Sequence, residues 1–355
     1  MKLQQINKSI IVLAMCVIAA IPAFAQKPTR VGSTAADFLE IGYGAAGIAM
    51  GDAYVSLVQD ASAIYWNPAG LAQMDRTEVM FVTQPWIVGM NATFASFGIV
   101  VPNVGTIGGG LILMNYGDMD VTTVNMQEGT GEQFSAKDLA VSLSFARNLV
   151  DWFSFGATAK MINSTIWHES ATAVAFDLGV IIKTDFFSPS GGNKHGLNIG
   201  MSICNYGTPL KYDGLDLLVP IDPAPNEAGN YSNAPGRYAT QDWQLPLIFR
   251  MGASITPLLT EDHEIIVAVD ALHPNDNSES VNLGFQYTLT LQDLGKVSLR
   301  TGYKGLGMPD SQYSMTYGIG VQTDLFADHG LKVDYAYRTM GILGNAQSLG
   351  VSLLF

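Results

Sequence analysis

Gly42-Tyr43-Gly44-Ala45-Ala46-Gly47 matches G-x-G-x-x-G, the turn on which a dinucleotide pyrophosphate rests at a helix N-terminus. That chemistry needs a buried strand before the turn and a βαβ unit around it. Upstream stands QKPTRVGSTAADFLEI, polar and proline-bearing, and downstream Gly51 interrupts any helix. Asp60 sits at a ribose-binding distance, but spacing without the unit binds nothing. The other chemistry-bearing residues are equally unsupported. His168, His195, His263, His273 and His329 are scattered, and neither H-E-x-x-H nor G-x-S-x-G occurs. No enzymatic activity and no cofactor are expected.

The charged residues fall into a pattern instead. Leu331-Lys332-Val333-Asp334-Tyr335-Ala336-Tyr337-Arg338 places an apolar or aromatic side chain at every odd position and a charged or small one at every even position. Val297 to Lys304, Val281 to Tyr287, Leu197 to Cys204 and Leu139 to Phe145 repeat the alternation. A strand points successive side chains to opposite faces, so each segment has one greasy and one polar face. By this phase Lys160, Asp177, Arg250, Asp270, Arg300, Lys332, Asp334 and Arg338 share an interior. Mixed signs there predict a paired network, with a polar conduit or gate as the functional alternative.

The elements that position these charges follow from composition. Residues 1–25 read as a secretory signal peptide, with two lysines, an apolar stretch and Ala23-Phe24-Ala25 before the expected cut. Its removal leaves 16 basic against 31 acidic residues, a net charge of −15, which disfavours nucleic acid. Only Cys204 remains, so neither a disulfide framework nor a cysteine metal site is expected. The chain is apolar on average (mean hydropathy +0.21). The exported part nevertheless has no apolar run long enough for a spanning helix. Alternation in such a chain indicates a transmembrane β-barrel.

Fourteen segments of spanning length are expected in the wall, 77–355: 77–84, 90–101, 104–116, 137–147, 152–164, 171–184, 194–206, 245–258, 263–272, 278–290, 296–305, 313–324, 330–339 and 346–355. The long connections 117–136 and 207–244 follow odd strands, hence lie outside the cell, while most connections after even strands are short. The chain ends Leu349 to Phe355, an alternating strand with a terminal aromatic.

Before the wall, 26–76 is too long for a simple loop. It is rich in small residues, and Asn67-Pro68-Ala69-Gly70 fits a helix start with Asn as cap, the helix running from Pro68 to Met74. GAAGIAMGDAYVSLVQDASAIYWNPAGLA resembles the N-terminal signature of the PorV/PorQ family, within the FadL-like group of outer-membrane barrels. That resemblance implies a fourteen-stranded barrel whose N-terminal hatch folds into the lumen. The hatch motif maps onto Asn67, Pro68 and Ala69, preceded by Tyr65 and Trp66; the glycine-rich approach onto Gly47, Met50, Gly51 and Ala53; the acidic run onto Asp60, Ala61 and Ser62. It also implies an outer-membrane location with lipid around the wall. For function it implies a part in type IX secretion, with secretion-system proteins and cargo bearing a C-terminal signal domain as partners. The alternative is a FadL-like channel for a lipid-like solute, and a third reading is a structural barrel. The loop near 207–244 is the partner-binding candidate, through Leu217, Leu218, Val219, Ile221, Tyr231 and Trp243, which a solvated loop has no need to carry.

Overall fold

The computed structural model describes residues 31–228, 234–292, 294–326 and 329–355. The expected signal peptide and Tyr231 lie outside the described residues. Fourteen wall strands follow one another in a single antiparallel meander: β1 Glu78–Pro85, β2 Asn91–Val101, β3 Gly105–Asp120, β4 Gln133–Val150, β5 Phe153–Ile166, β6 Glu169–Lys183 and β7 Asn198–Gly207. The second half is β8 Ile248–Leu259, β9 His263–Pro274, β10 Ser280–Leu291, β11 Gly295–Leu306, β12 Met315–Phe326, β13 His329–Thr339 and β14 Asn345–Leu354. β1 pairs with β2 on one side and with β14 on the other, Glu78 opposite Leu354 and Thr83 opposite Leu349, so the wall closes and no edge is left. No helix among the described residues is long and apolar enough to cross a membrane.

Alternation sets the faces. Along β1, Val79 and Phe81 point outward, 47% and 54% exposed, while Met80 and Val82 point in and are buried. β14 repeats this with Leu349, Val351 and Leu353 outward, as a lipid-facing band requires. Strand length is uneven. β1 has 8 residues and β4 has 18, so the β3–β4 hairpin stands above the rest of the rim. This is why β3 and β4 run past the expected 104–116 and 137–147.

The connections 121–132 and 208–247 lie at one end, extracellular in outer-membrane barrels; the other end carries mostly short turns. Within the long loop, Leu218–Ile221 and Ala234–Arg237 form a two-stranded ribbon. Residues 31–76 fill the lumen and supply much of the apolar core.

Candidate functional site: the hatch and the lumen

The described chain begins at the long-loop end, where Ala35 N–H donates to the Gln244 carbonyl at 2.9 Å. It then descends through short turns: a 3-10 turn Asp37–Glu40, helical turns Ala45–Ala49 and Ala63–Trp66, and a 3-10 helix Pro68–Gln73. Asn67 caps the last, its Oδ1 accepting from Ala69 N–H at 3.1 Å. The helix expected over Pro68–Met74 is therefore present with tighter 3-10 winding, one residue shorter. Asn67 Nδ2 donates to the Val55 carbonyl within the hatch at 2.9 Å and to the Val180 carbonyl of β6 at 3.1 Å. One side chain thus folds the hatch and fastens it to the wall.

The glycines of the opening motif serve packing. Gly42 and Gly44 have φ near +90°, where other residues strain. A Cβ on Gly47 would lie 2.7 Å from the Trp66 ring, and one on Gly51 2.7 Å from the Leu283 carbonyl oxygen and the Tyr303 nitrogen. The wall answers with glycines of its own, which sequence reasoning missed. Gly156, Gly179 and Gly200 face the hatch around Pro68, Asn67 and Val55; Gly284, Gly302 and Gly318 face Met50, Gly51 and Ala49. At each, any side chain would collide with the hatch. Ser202 Oγ donates to the Trp66 carbonyl at 3.1 Å, Thr316 Oγ1 to the Ala49 carbonyl at 3.0 Å, and Asp270 Oδ2 accepts from Tyr54 and Val55 N–H at 2.7 and 2.9 Å. The hatch backbone thus rests on the wall's glycines and is held by wall side chains.

All eight charges assigned to the interior are buried or nearly so, and most are paired. Lys160 meets Asp177 at 2.6 Å, and Arg300 meets Asp334 at 2.6 Å. Lys332 joins wall to hatch, 2.8 Å from Asp60 and 3.5 Å from Asp334. Asp52, a hatch carboxylate that the sequence offers as a partner for these charges, is the centre of the upper network. It accepts from Arg338 at 2.5 Å and Lys304 at 2.6 Å, and Arg338 also donates to the Ile41 carbonyl at 2.7 Å. Lys304 was not among the expected residues, although it shares the strand phase of Arg300. Burial pushes the Asp60 carboxyl upward, but the Lys332 ammonium and the Ser62 hydrogen bonds outweigh it and leave its pKa below the usual value. Asp60 therefore contributes stability above the ordinary carboxylate range, lost only as pH falls through its lowered value.

The lumen is two-sided. Towards β8–β14 it carries most of the charges, the Lys160–Asp177 pair lying on β5 and β6. In the upper half of β1–β6 it is mainly apolar: Phe94, Ile112, Met114 and Ile162, with Leu210 and Leu245 above, form one cluster, and the buried Asp138 beside Met114 is held by the Tyr116 and Ser164 hydroxyls. The cluster is occupied by Phe38 and Leu39 of the hatch's first segment, each 1% exposed. Tyr43 and Tyr65 hydroxyls hold the Phe38 and Leu39 carbonyls at 2.8 and 3.1 Å. Among the described residues, cavities flank the hatch on both sides. One of about 360 Å³ opens at the short-turn end among Asp60, Gln286, Arg300, Gln322 and Lys332. One of about 90 Å³ lies above the hatch among Glu40, Tyr65, Arg250, Lys304 and Tyr313.

Glu40 borders that upper cavity. Burial, then the Asp276 and Asp37 charges, raise its pKa to about 7 against the opposing pull of Lys304 and Arg250. A raised carboxyl pKa means the folded arm binds the proton more tightly, so this contribution is present at low pH and is lost as pH rises from the usual carboxylate range through about 7. Amide hydrogen exchange at 36–44 is expected to quicken, after correction for intrinsic rates, between about pH 5 and pH 8. Glu40→Gln should flatten that profile; an unchanged profile in the variant would refute the assignment.

The partner-loop candidates lie at the rim. Leu218, Ile221 and Trp243 are 46%, 44% and 39% exposed, whereas Leu217 and Val219 are half-buried in and beside the ribbon. Trp243 is anchored by reciprocal backbone hydrogen bonds with Leu210.

No family model matches the chain, and no curated protein does. Solved structures do. The Pseudomonas putida toluene transporter TodX aligns with a TM-score of 0.54 over 88% of this chain and 97% of its own, at 12% identity. The Ralstonia pickettii toluene transporter TbuX gives 0.56 over the same shares at 10% identity. A monoaromatic hydrocarbon channel, CymD, gives 0.55, again at 10% identity. At such identities the likeness is one of fold: the closed fourteen-stranded antiparallel barrel.

Proposed function

We propose that this protein admits hydrophobic small molecules across the outer membrane and is seen here with its entry closed. The observation that carries the reading is the apolar compartment inside the upper lumen, plugged by the protein's own Phe38 and Leu39. A barrel interior is ordinarily polar. The two plugging side chains contribute about 3–6 kcal/mol of burial, and a solute present at about a thousand times its Kd for the open compartment offsets about 4 kcal/mol. Such a solute can displace the arm and leave the rest of the hatch seated on its glycines. The polar cavity of about 360 Å³ below then offers the way out past Asp60 and Lys332. The fold shared with hydrocarbon channels supports this order of readings, ahead of the type IX carrier implied by the PorV/PorQ motif.

The carrier reading keeps one observation of its own. Leu215, Leu218, Ile221 and Tyr238 are 69%, 46%, 44% and 64% exposed on and around the rim ribbon, an apolar surface suited to a protein. One experiment separates the two. The protein is withdrawn gently from its native membrane, and co-purifying proteins and extracted small molecules are identified from one sample. A stoichiometric apolar molecule supports uptake. Secreted proteins sharing a C-terminal domain, lost on deletion of 214–226, would overturn it in favour of the carrier.

A further inference from the structure

Among the described residues, Arg250 is a buried lumen cation with no carboxylate in salt-bridge contact. Lys160, Arg300, Lys304, Lys332 and Arg338 each hold one within 2.8 Å. Arg250 is 3% exposed, yet its Nη1 meets only Cys204 Sγ at 3.2 Å, its Nη2 reaches the Tyr65 hydroxyl at 3.4 Å, and its Nε has no partner. Its guanidinium lies over the Tyr65 and Trp66 rings, 5.2 and 5.8 Å from their centroids. Asp177 is taken by Lys160 and the Asn205 N–H, and Asp52 by Arg338 and Lys304; Asp270 on the neighbouring strand accepts from the Tyr54 and Val55 N–H groups through Oδ2, its Oδ1 is unpartnered, and it makes no ion pair with Arg250. A buried cation with an idle donor and no carboxylate in contact is costly, so such groups are normally paired directly. Here the space for the missing partner exists: Arg250 borders the cavity of about 90 Å³, and Lys304 approaches it from β11.

We propose that this cavity is a binding site for a small anion, a carboxylate or halide, held by Arg250 with Lys304 as the second cation. The anion is either a free ion or the charged end of a longer solute. Glu40 is the internal competitor, since its carboxylate borders the same space and makes no ion pair among the described residues. The site goes beyond the uptake reading, because a neutral hydrocarbon needs no guanidinium.

Trp66, 1% exposed and stacked beside Arg250, is the reporter. Iodide is titrated into the detergent-solubilised full chain at constant ionic strength, with gluconate, too large for the cavity, as the balancing ion. The site predicts a saturable quenching component on top of the linear collisional one. Arg250→Gln should weaken it at least about tenfold, the usual weight of a charge-assisted hydrogen bond. Arg250→Lys should restore it in part, and Glu40→Gln should strengthen it. A heat-dependent gel shift shows that each variant is folded. Formate and hexanoate are then used as competitors. Equal potency marks a free ion, and about tenfold greater potency of hexanoate marks the end of a longer solute; both support the site. Strictly linear quenching in the wild type, or saturable quenching unchanged in folded Arg250→Gln, overturns it.

Discussion

Asp52→Asn is expected to release the upper half of the hatch while the barrel stays folded. Asp52 sits at φ 65°, a left-handed conformation that Asn accepts, so the turn itself survives the exchange. The charge does not. Arg338, 1% exposed, and Lys304, 8% exposed, would each lose their carboxylate and remain buried. Removing one partner from a buried pair costs about 3–5 kcal/mol, and here one carboxylate serves two cations. The expected result is new proteolytic cleavage within 31–60 and a rise in single-channel conductance, with the heat-dependent gel shift of the barrel unchanged. Hatch protection equal to wild type would show that Asp52 carries no such weight.

The second large effect belongs to a residue with no side chain. Gly156→Ala adds one methyl group on β5, directly where the Pro68–Ala69 peptide lies. The obstacle is backbone, with Pro68 limiting its freedom, so relief requires moving the turn as a unit. Overpacking of this kind costs about 1–3 kcal/mol, and displacement of Asn67 would add the loss of its bond to Val180. Gly350→Ala on β14 is the matched control, since the nearest heavy atom to its new Cβ lies 3.5 Å away, an ordinary contact. Hydrogen exchange across 63–73 should quicken markedly in the first variant and stay unchanged in the second. Equal behaviour of the two would mean the glycine seats are incidental.

These two residues mark where sequence reasoning reached and where it stopped. The wall was legible because strand alternation is a local signal: each of the fourteen expected segments overlaps one wall strand, and Leu331–Arg338 alone displays both faces of β13. Loop parity then located the long connections. The charged interior was legible for the same reason, although Lys304 was not joined to it. The glycine seats were hidden, because a glycine in a strand signals nothing until the opposing backbone is in place. The apolar compartment was hidden for another reason. In β2 and β3, Phe94, Ile112 and Met114 face inward while Phe97, Ile107 and Leu111 face outward, so both faces are apolar and alternation carries no contrast. Its plug lies in a stretch, TAADFLEI, whose polar neighbours disguise two buried side chains.

That plug is the centre of the functional account, and its truncation is the most direct test. Binding of the neutral fluorophore N-phenyl-1-naphthylamine is measured on the purified barrel in one detergent, for the wild type and for the double variant Phe38→Ala, Leu39→Ala. With the compartment emptied, the account predicts binding at least about tenfold tighter in the variant, since the arm's burial no longer competes. Binding that is equal in the two proteins, or absent from both, would contradict a hydrophobic site in the upper lumen and leave the rim ribbon as the surface to pursue.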